Sequence, residues 1–134
     1  MRQSFVMIKT RIKRISFLAV SAATAVVFAA SPASAYTDIE VTDSAHTGTF
    51  WFHDDGDTFT VCDTKVDGAG VLGRLYYKPL LGDWYVTDHA SDGGDSGCGH
   101  FAHDVNGVGD YQMKLYWMGP GYPKEIASSR VFNE

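Results

Sequence analysis

Cysteine, positive charge and long apolar runs are scarce in this chain, and each scarcity narrows what it can be. Two cysteines in 134 residues are too few for a multi-bridge scaffold or for the paired-cysteine halves of a structural zinc site. Five of the eleven Lys and Arg lie in residues 1–35, which contain none of the sixteen Asp and Glu. The remaining 99 residues hold six basic and sixteen acidic side chains, so the formal charge moves from −5 for the whole chain to −10. A surface of that sign repels phosphate backbones and anionic lipid, which excludes a general nucleic-acid binder or a membrane-surface protein. Beyond residue 30 no apolar stretch approaches the length of a membrane span. A chain of that size makes one domain.

Residues 1–35 have the layout of a secretory signal peptide. Arg2, Lys9, Arg11, Lys13 and Arg14 form a basic leader, and an apolar run follows over 15–30. Ser31-Pro32-Ala33-Ser34-Ala35 then places small residues at the positions a signal peptidase reads. Cleavage after Ala35 starts the exported chain at Tyr36. A membrane anchor fits less well, because the run is short, rich in Ala and Ser, and ends in the cleavage pattern. The expected product is a secreted, extracellular, acidic domain over 36–134 with no membrane contact after cleavage.

Export fixes the redox reading. Cys62 and Cys98 are an isolated pair in an oxidising compartment, and one disulfide between them is expected. Closing a loop of that length stabilises a fold by about 4 kcal/mol in the chain-entropy model. The alternative is a zinc site built on Cys98, His100 and His103, which lacks the paired ligands of known structural sites. Neither a metal nor a cofactor is expected.

Fourteen Gly and thirteen Asp in residues 36–134 favour turns over long helices. The clearest strand is 111–117, where Tyr111, Met113, Leu115 and Trp117 alternate with Gln112, Lys114 and Tyr116. Val71–Lys78 alternates similarly, with Leu72, Arg74 and Tyr76 on its half-exposed side. Strands at 49–53 and 57–62 flank Asp54-Asp55-Gly56, a hairpin signal because Asp-Gly suits the positive φ of tight turns. Weaker strands are expected at 84–87 and 130–132, with loops over 91–99 and around Asn106-Gly107. The fold class is therefore all-β: a small antiparallel β-sandwich or barrel of six to seven strands with one disulfide.

Several motifs suggest chemistry and carry little of it. Gly94-Asp95-Ser96-Gly97 matches the nucleophile loop of trypsin-type proteases over four residues, but that fold needs nearly twice this length and the following Gly-Pro is replaced by Cys98-Gly99. The acidic turns at 54–57, at Asp63 with Asp67-Gly68, and at 92–95 offer oxygen ligands to calcium, yet none has the twelve-residue loop with a terminal glutamate. Sixteen acids always yield a carboxylate pair at some distance, so glycoside hydrolysis has no specific signal. No enzyme activity is expected, and the five histidines are read as exposed polar residues.

Aromatic residues are the informative surplus, numbering fifteen in residues 36–134. Trp51 lies opposite Phe50 and Phe52 in its strand, and Tyr76 and Tyr116 fall on the less apolar sides of theirs. Exposed aromatics on a rigid sheet give contact area at low entropy cost, which sugar-binding and protein-binding surfaces use. Residues 36–44, with Tyr36, Ile39 and Val41 among acids, form either a first strand or a flexible docking extension. The candidate partner-binding residues are thus Tyr36, Ile39, Val41, Trp51, Tyr76 and Tyr116. The acidic charge selects a basic secreted protein as partner.

The leader, the stretch from Gly56-Asp57-Thr58-Phe59 through Cys62 to Asp67-Gly68, and the later Ser91-Asp92-Gly93-Gly94-Asp95-Ser96-Gly97-Cys98 resemble small secreted proteins of filamentous soil bacteria. That resemblance implies export and a single-domain β-sandwich with one disulfide. Size, export and architecture also resemble the small adaptor subunit of secreted umbrella toxin particles, which implies a role linking a lectin-bearing subunit to a large toxin. The expected function is a non-enzymatic protein-binding or adaptor module of an extracellular, toxin-like complex. The alternatives are a carbohydrate- or calcium-binding secreted module, with a glycan as ligand, or a small toxin or enzyme inhibitor.

Overall fold

A computed structural model describes residues 37–94, 97–121 and 123–133. The signal-peptide expectation for 1–35, Tyr36, and the Asp95-Ser96 centre of the protease-like tetrapeptide lie outside the described residues. The described residues form eight strands: β1 (Ile39–Thr42), β2 (Gly48–His53), β3 (Thr58–Asp63), β4 (Val71–Lys78), β5 (Tyr85–Asp92), β6 (Gly99–Ala102), β7 (Asp110–Trp117) and β8 (Lys124–Ser128). They make two antiparallel sheets, ordered β1-β2-β3-β6 and β5-β4-β7-β8. The sheets pack together in a sandwich-like arrangement, and no ladder joins one to the other as a closed barrel would require. No helix among the described residues is long and apolar enough to cross a membrane.

Period-two burial builds the core from both sheets. In β2 the side chains of Phe50 and Phe52 point inward and Trp51 outward; in β7 Tyr111, Met113 and Leu115 point inward. Phe52 stacks on Phe59 at 4.7 Å between ring centroids, Phe59 on Phe101 at 4.6 Å, and Phe52 on Phe132 at 5.4 Å. This aromatic column faces Val71, Leu75, Met113 and Leu115 of the second sheet. Gly73 sits at an inward position of β4, where an added Cβ would lie 2.4 Å from Val61 Cγ2 and 3.0 Å from the Phe50 ring. A glycine there lets the sheets approach.

The hairpin expected around Asp54-Asp55-Gly56 is present, with His53 opposite Thr58 and positive φ at Gly56 (102°) and Asp57 (51°). Three expectations need correction. The strand count is eight rather than six to seven, because β6 and β8 carry no strand signal in the sequence: β6 is only four residues beside a Gly-rich stretch, and Lys124–Ser128 has no alternation of apolar residues. β5 runs to Asp92, so the supposed loop over 91–99 contributes to strands at both of its ends. Residues 130–132 form no strand and supply a single bridge from Phe132 to Tyr111. Within 36–44, expected as either a first strand or a docking extension, Ile39–Thr42 pair with β2 as a strand.

Cys62, in β3, is bonded to Cys98, just before β6, with 4.6 Å between their Cα atoms. The bridge fastens the β5–β6 connection to its own sheet and removes the zinc alternative, since a disulfide sulfur is not a thiolate ligand.

Candidate functional site

The β4–β5 connection projects apolar side chains from one end of the two sheets. The ladder ends at Tyr77 opposite Tyr85, and Pro79 has no N–H with which to continue it. The tip then turns at Gly82, whose φ of 150° brings it against the Pro79 ring. Leu80 is 80 % exposed, Leu81 94 % and Trp84 38 %. The base of this finger is stiff: Tyr77 meets Tyr85 edge-on at 5.7 Å and packs on Tyr111 at 4.9 Å. Val108, also exposed, lies beside it in the β6–β7 connection, where the adjoining Gly109 abuts the Tyr77 ring. Contiguous exposed apolar side chains on a rigid base are characteristic of contact surfaces.

Carboxylates share this end of the two sheets with the finger. Asp83 is in it, Asp110 is paired with Lys78 at its base, and Asp88 meets His103 at 3.7 Å. On the adjoining sheet, Asp38 accepts a hydrogen bond from the Asp54 N–H at 3.0 Å and faces His53 at 3.5 Å. Asp57 and Asp104 are neighbours there: burial first, and then the Asp104 charge, raise the Asp57 carboxyl above the ordinary aspartate value, against a hydrogen bond from the Val105 N–H. The Asp57 Oδ1 atom is buried with no hydrogen-bond partner. With Asp55, eight of the sixteen acids gather at this end.

The opposite end uses its acids to brace loops. Asp43 accepts from the Thr47 N–H at 2.7 Å, the Thr47 hydroxyl at 2.9 Å and the Ala45 N–H at 3.1 Å. Burial alone would raise its carboxyl, but these bonds and one from Gly48 outweigh burial and hold it below the ordinary value. Asp92 accepts from the Asp63 N–H at 2.7 Å. A recess of about 420 Å³ lies nearby, between Lys65, Asp67, Trp117, Lys124 and Glu125, with the Trp117 indole donating to Asp67 at 3.2 Å. Among the described residues no three His, Cys, Asp or Glu are grouped to hold a metal ion.

The candidate contact residues from the sequence do not form one surface. Val41 is 3 % exposed in the core, because β1 is a paired strand whose alternation turns that side chain inward; it is not a surface contact. Ile39 is half-buried against the same core. Trp51 lies on the outer face of the first sheet, stacked beside His53 at 6.0 Å. Tyr76 and Tyr116 meet on the outer face of the second sheet, hydroxyl to hydroxyl at 2.7 Å, but Tyr116 is only 8 % exposed, covered in part by the Arg74 guanidinium over its ring, and is not the exposed contact expected. Burial, and then that hydrogen bond, push the Tyr116 hydroxyl well above the usual tyrosine value. Leu80, Leu81 and Trp84 were missed, although leucines within a Pro/Gly/Asp turn are the sequence signal for them. No family model, curated protein or solved structure matches this chain.

Proposed function

We propose that the protein is a secreted, non-enzymatic adaptor whose acidic end, with its projecting apolar finger, docks a basic secreted protein. The observation that carries this reading is the exposure of Leu80 and Leu81 at the end of the two sheets where eight carboxylates also lie. Covering each leucine on binding contributes about 1.5–3 kcal/mol before ordering costs. The negative field at this end speeds encounter with a basic surface and rejects acidic ones. Such a module suits the small linking subunit of an extracellular, toxin-like complex, the role its resemblance implies.

The test is recovery of the tagged protein from culture medium. A stoichiometric basic companion is expected, released by salt and lost from a Leu80→Asp, Leu81→Asp variant whose unfolding temperature is unchanged. Recovery as a lone monomer, or substrate turnover abolished by one replacement that leaves the fold intact, overturns the reading. A second reading, a saccharide-binding module, is favoured by the indole of Trp117 among Lys65, Asp67 and Lys124 in the opposite recess. Retention on cell-wall glycan that disappears in Trp117→Ala would support it, and equal retention of both proteins would end it.

A further inference from the structure

The outer face of the second sheet carries a row that strand pairing ordinarily avoids. Arg74 of β4 lies directly opposite Lys114 of β7 and, on its other side, opposite His89 of β5. Like charges set opposite each other on neighbouring strands cost stability. Here they are two of only six Lys and Arg in residues 36–134, so chance crowding of cations does not account for them. Each is held in place by an aromatic ring: the Arg74 guanidinium is 5.0 Å from the Tyr116 centroid and the Lys114 ammonium 5.3 Å from the Tyr76 centroid. The 2.7 Å bond between the two tyrosine hydroxyls ties those rings together. Lys114 also bonds Glu125 at 3.1 Å. Beside this row is a recess of about 560 Å³ lined by Leu72, Arg74, Val86, His89, Ser91 and Met118.

We propose that this face is a second docking site, which takes an acidic peptide segment of a partner protein. The segment's carboxylates meet Arg74 and Lys114, and an aliphatic side chain enters the recess between Leu72, Val86 and Met118. Charge complementarity selects the occupant, since this patch is cationic on a domain of formal charge −10. The same net charge opposes long polyanions. The cations lie over the tyrosine rings, and Tyr116 is only 8 % exposed, so its ring offers no open face for stacking a sugar or a base. The site is independent of the apolar finger and has the opposite polarity. One domain therefore binds two partners of unlike charge.

The test is calorimetric titration of the disulfide-bonded protein with an acetylated, amidated peptide of alternating Glu and Leu, alongside its Gln-for-Glu counterpart and a sulfated saccharide. Amide chemical shifts locate the contact. The Glu peptide is expected to bind at least about tenfold more tightly than the Gln peptide, with shifts at Leu72, Arg74, Lys114 and Met118. Arg74→Gln with Lys114→Gln should lose at least that factor. Glu125→Gln should tighten binding, because it releases Lys114 from its carboxylate partner. If the double variant unfolds, Met118→Glu at the exposed rim serves in its place and should also weaken binding. Equal affinity for both peptides, shifts elsewhere, or a preference of this face for the saccharide overturns the proposal. So does self-association of the protein that the same substitutions abolish, which would make a second copy the occupant.

Discussion

Replacing Gly73 by alanine tests how closely the two sheets approach. The new Cβ would lie 2.4 Å from Val61 Cγ2 and 3.0 Å from two carbons of the Phe50 ring. Ordinary carbon contacts are about 3.5–4.0 Å, so the overlap with Val61 exceeds about 1 Å. Overpacking of that kind costs about 1–3 kcal/mol. Loss of glycine's freedom in the unfolded chain returns about 0.4–1 kcal/mol, which leaves a net destabilisation of about 1–2 kcal/mol. For a domain of this size the unfolding temperature should fall by about 5–15 °C. Urea unfolding should show a lower midpoint with an unchanged slope. The steric cause is isolated by a double-mutant cycle with Val61→Ala, which alone costs about 2 kcal/mol through its cavity. In the double variant the alanine methyl occupies part of that cavity, and the combined loss should fall short of the sum by about 1 kcal/mol or more. A neutral Gly73→Ala, or strictly additive losses, would refute the inter-sheet packing around Val61 and Phe50.

Further outcomes follow from the bridge and the two shifted carboxyls. Replacing Cys62 and Cys98 by alanine opens a loop of sequence separation 36 and should cost about 4 kcal/mol, read by urea unfolding; a loss below about 1 kcal/mol would show that the β3–β6 pairing needs no fastening. The Asp43 carboxyl is depressed, so its contribution is complete above the ordinary aspartate value of 3.8 and disappears as pH falls through its lower folded value. Asp43→Ala should therefore be strongly destabilising at neutral pH, and its deficit relative to wild type should shrink below pH 3.8. Asp57 is raised and works in the reverse sense: stability falls as pH climbs from 3.8 through its higher folded value. Asp57→Asn, which tolerates the φ of 51°, should raise the melting temperature at neutral pH, with the gain fading at more acidic pH.

Legibility of the fold followed the strength of local periodicity. The sequence 111–117 alternates apolar and polar side chains cleanly and is a strand within one residue of its observed start. Lys124–Ser128 has no alternation of its own and is a strand only because β7 offers it an unpaired edge. Tyr76 and Tyr116 were readable as outward residues; their meeting was not, since it depends on a register that sets Tyr76 opposite Gln112 and Leu72 opposite Tyr116. The failure at Val41 has a similar cause, because an apolar residue among acids reads alike in a docking tail and in an edge strand until a partner strand fixes its face.

The sequence by itself determined the charge, the scarcity of helix, the hairpin at Asp54-Asp55-Gly56 and the pairing of its only two cysteines. These depend on composition and on interactions between near neighbours in the chain. Only the tertiary structure decided that eight acids collect at the end that bears the apolar finger, and that Arg74 and Lys114 share a row on the far side of a sheet from Phe50 and Phe59. Such groupings arise from strand register and sheet stacking, where residues forty positions apart in sequence come within hydrogen-bonding distance, as Tyr76 and Tyr116 do.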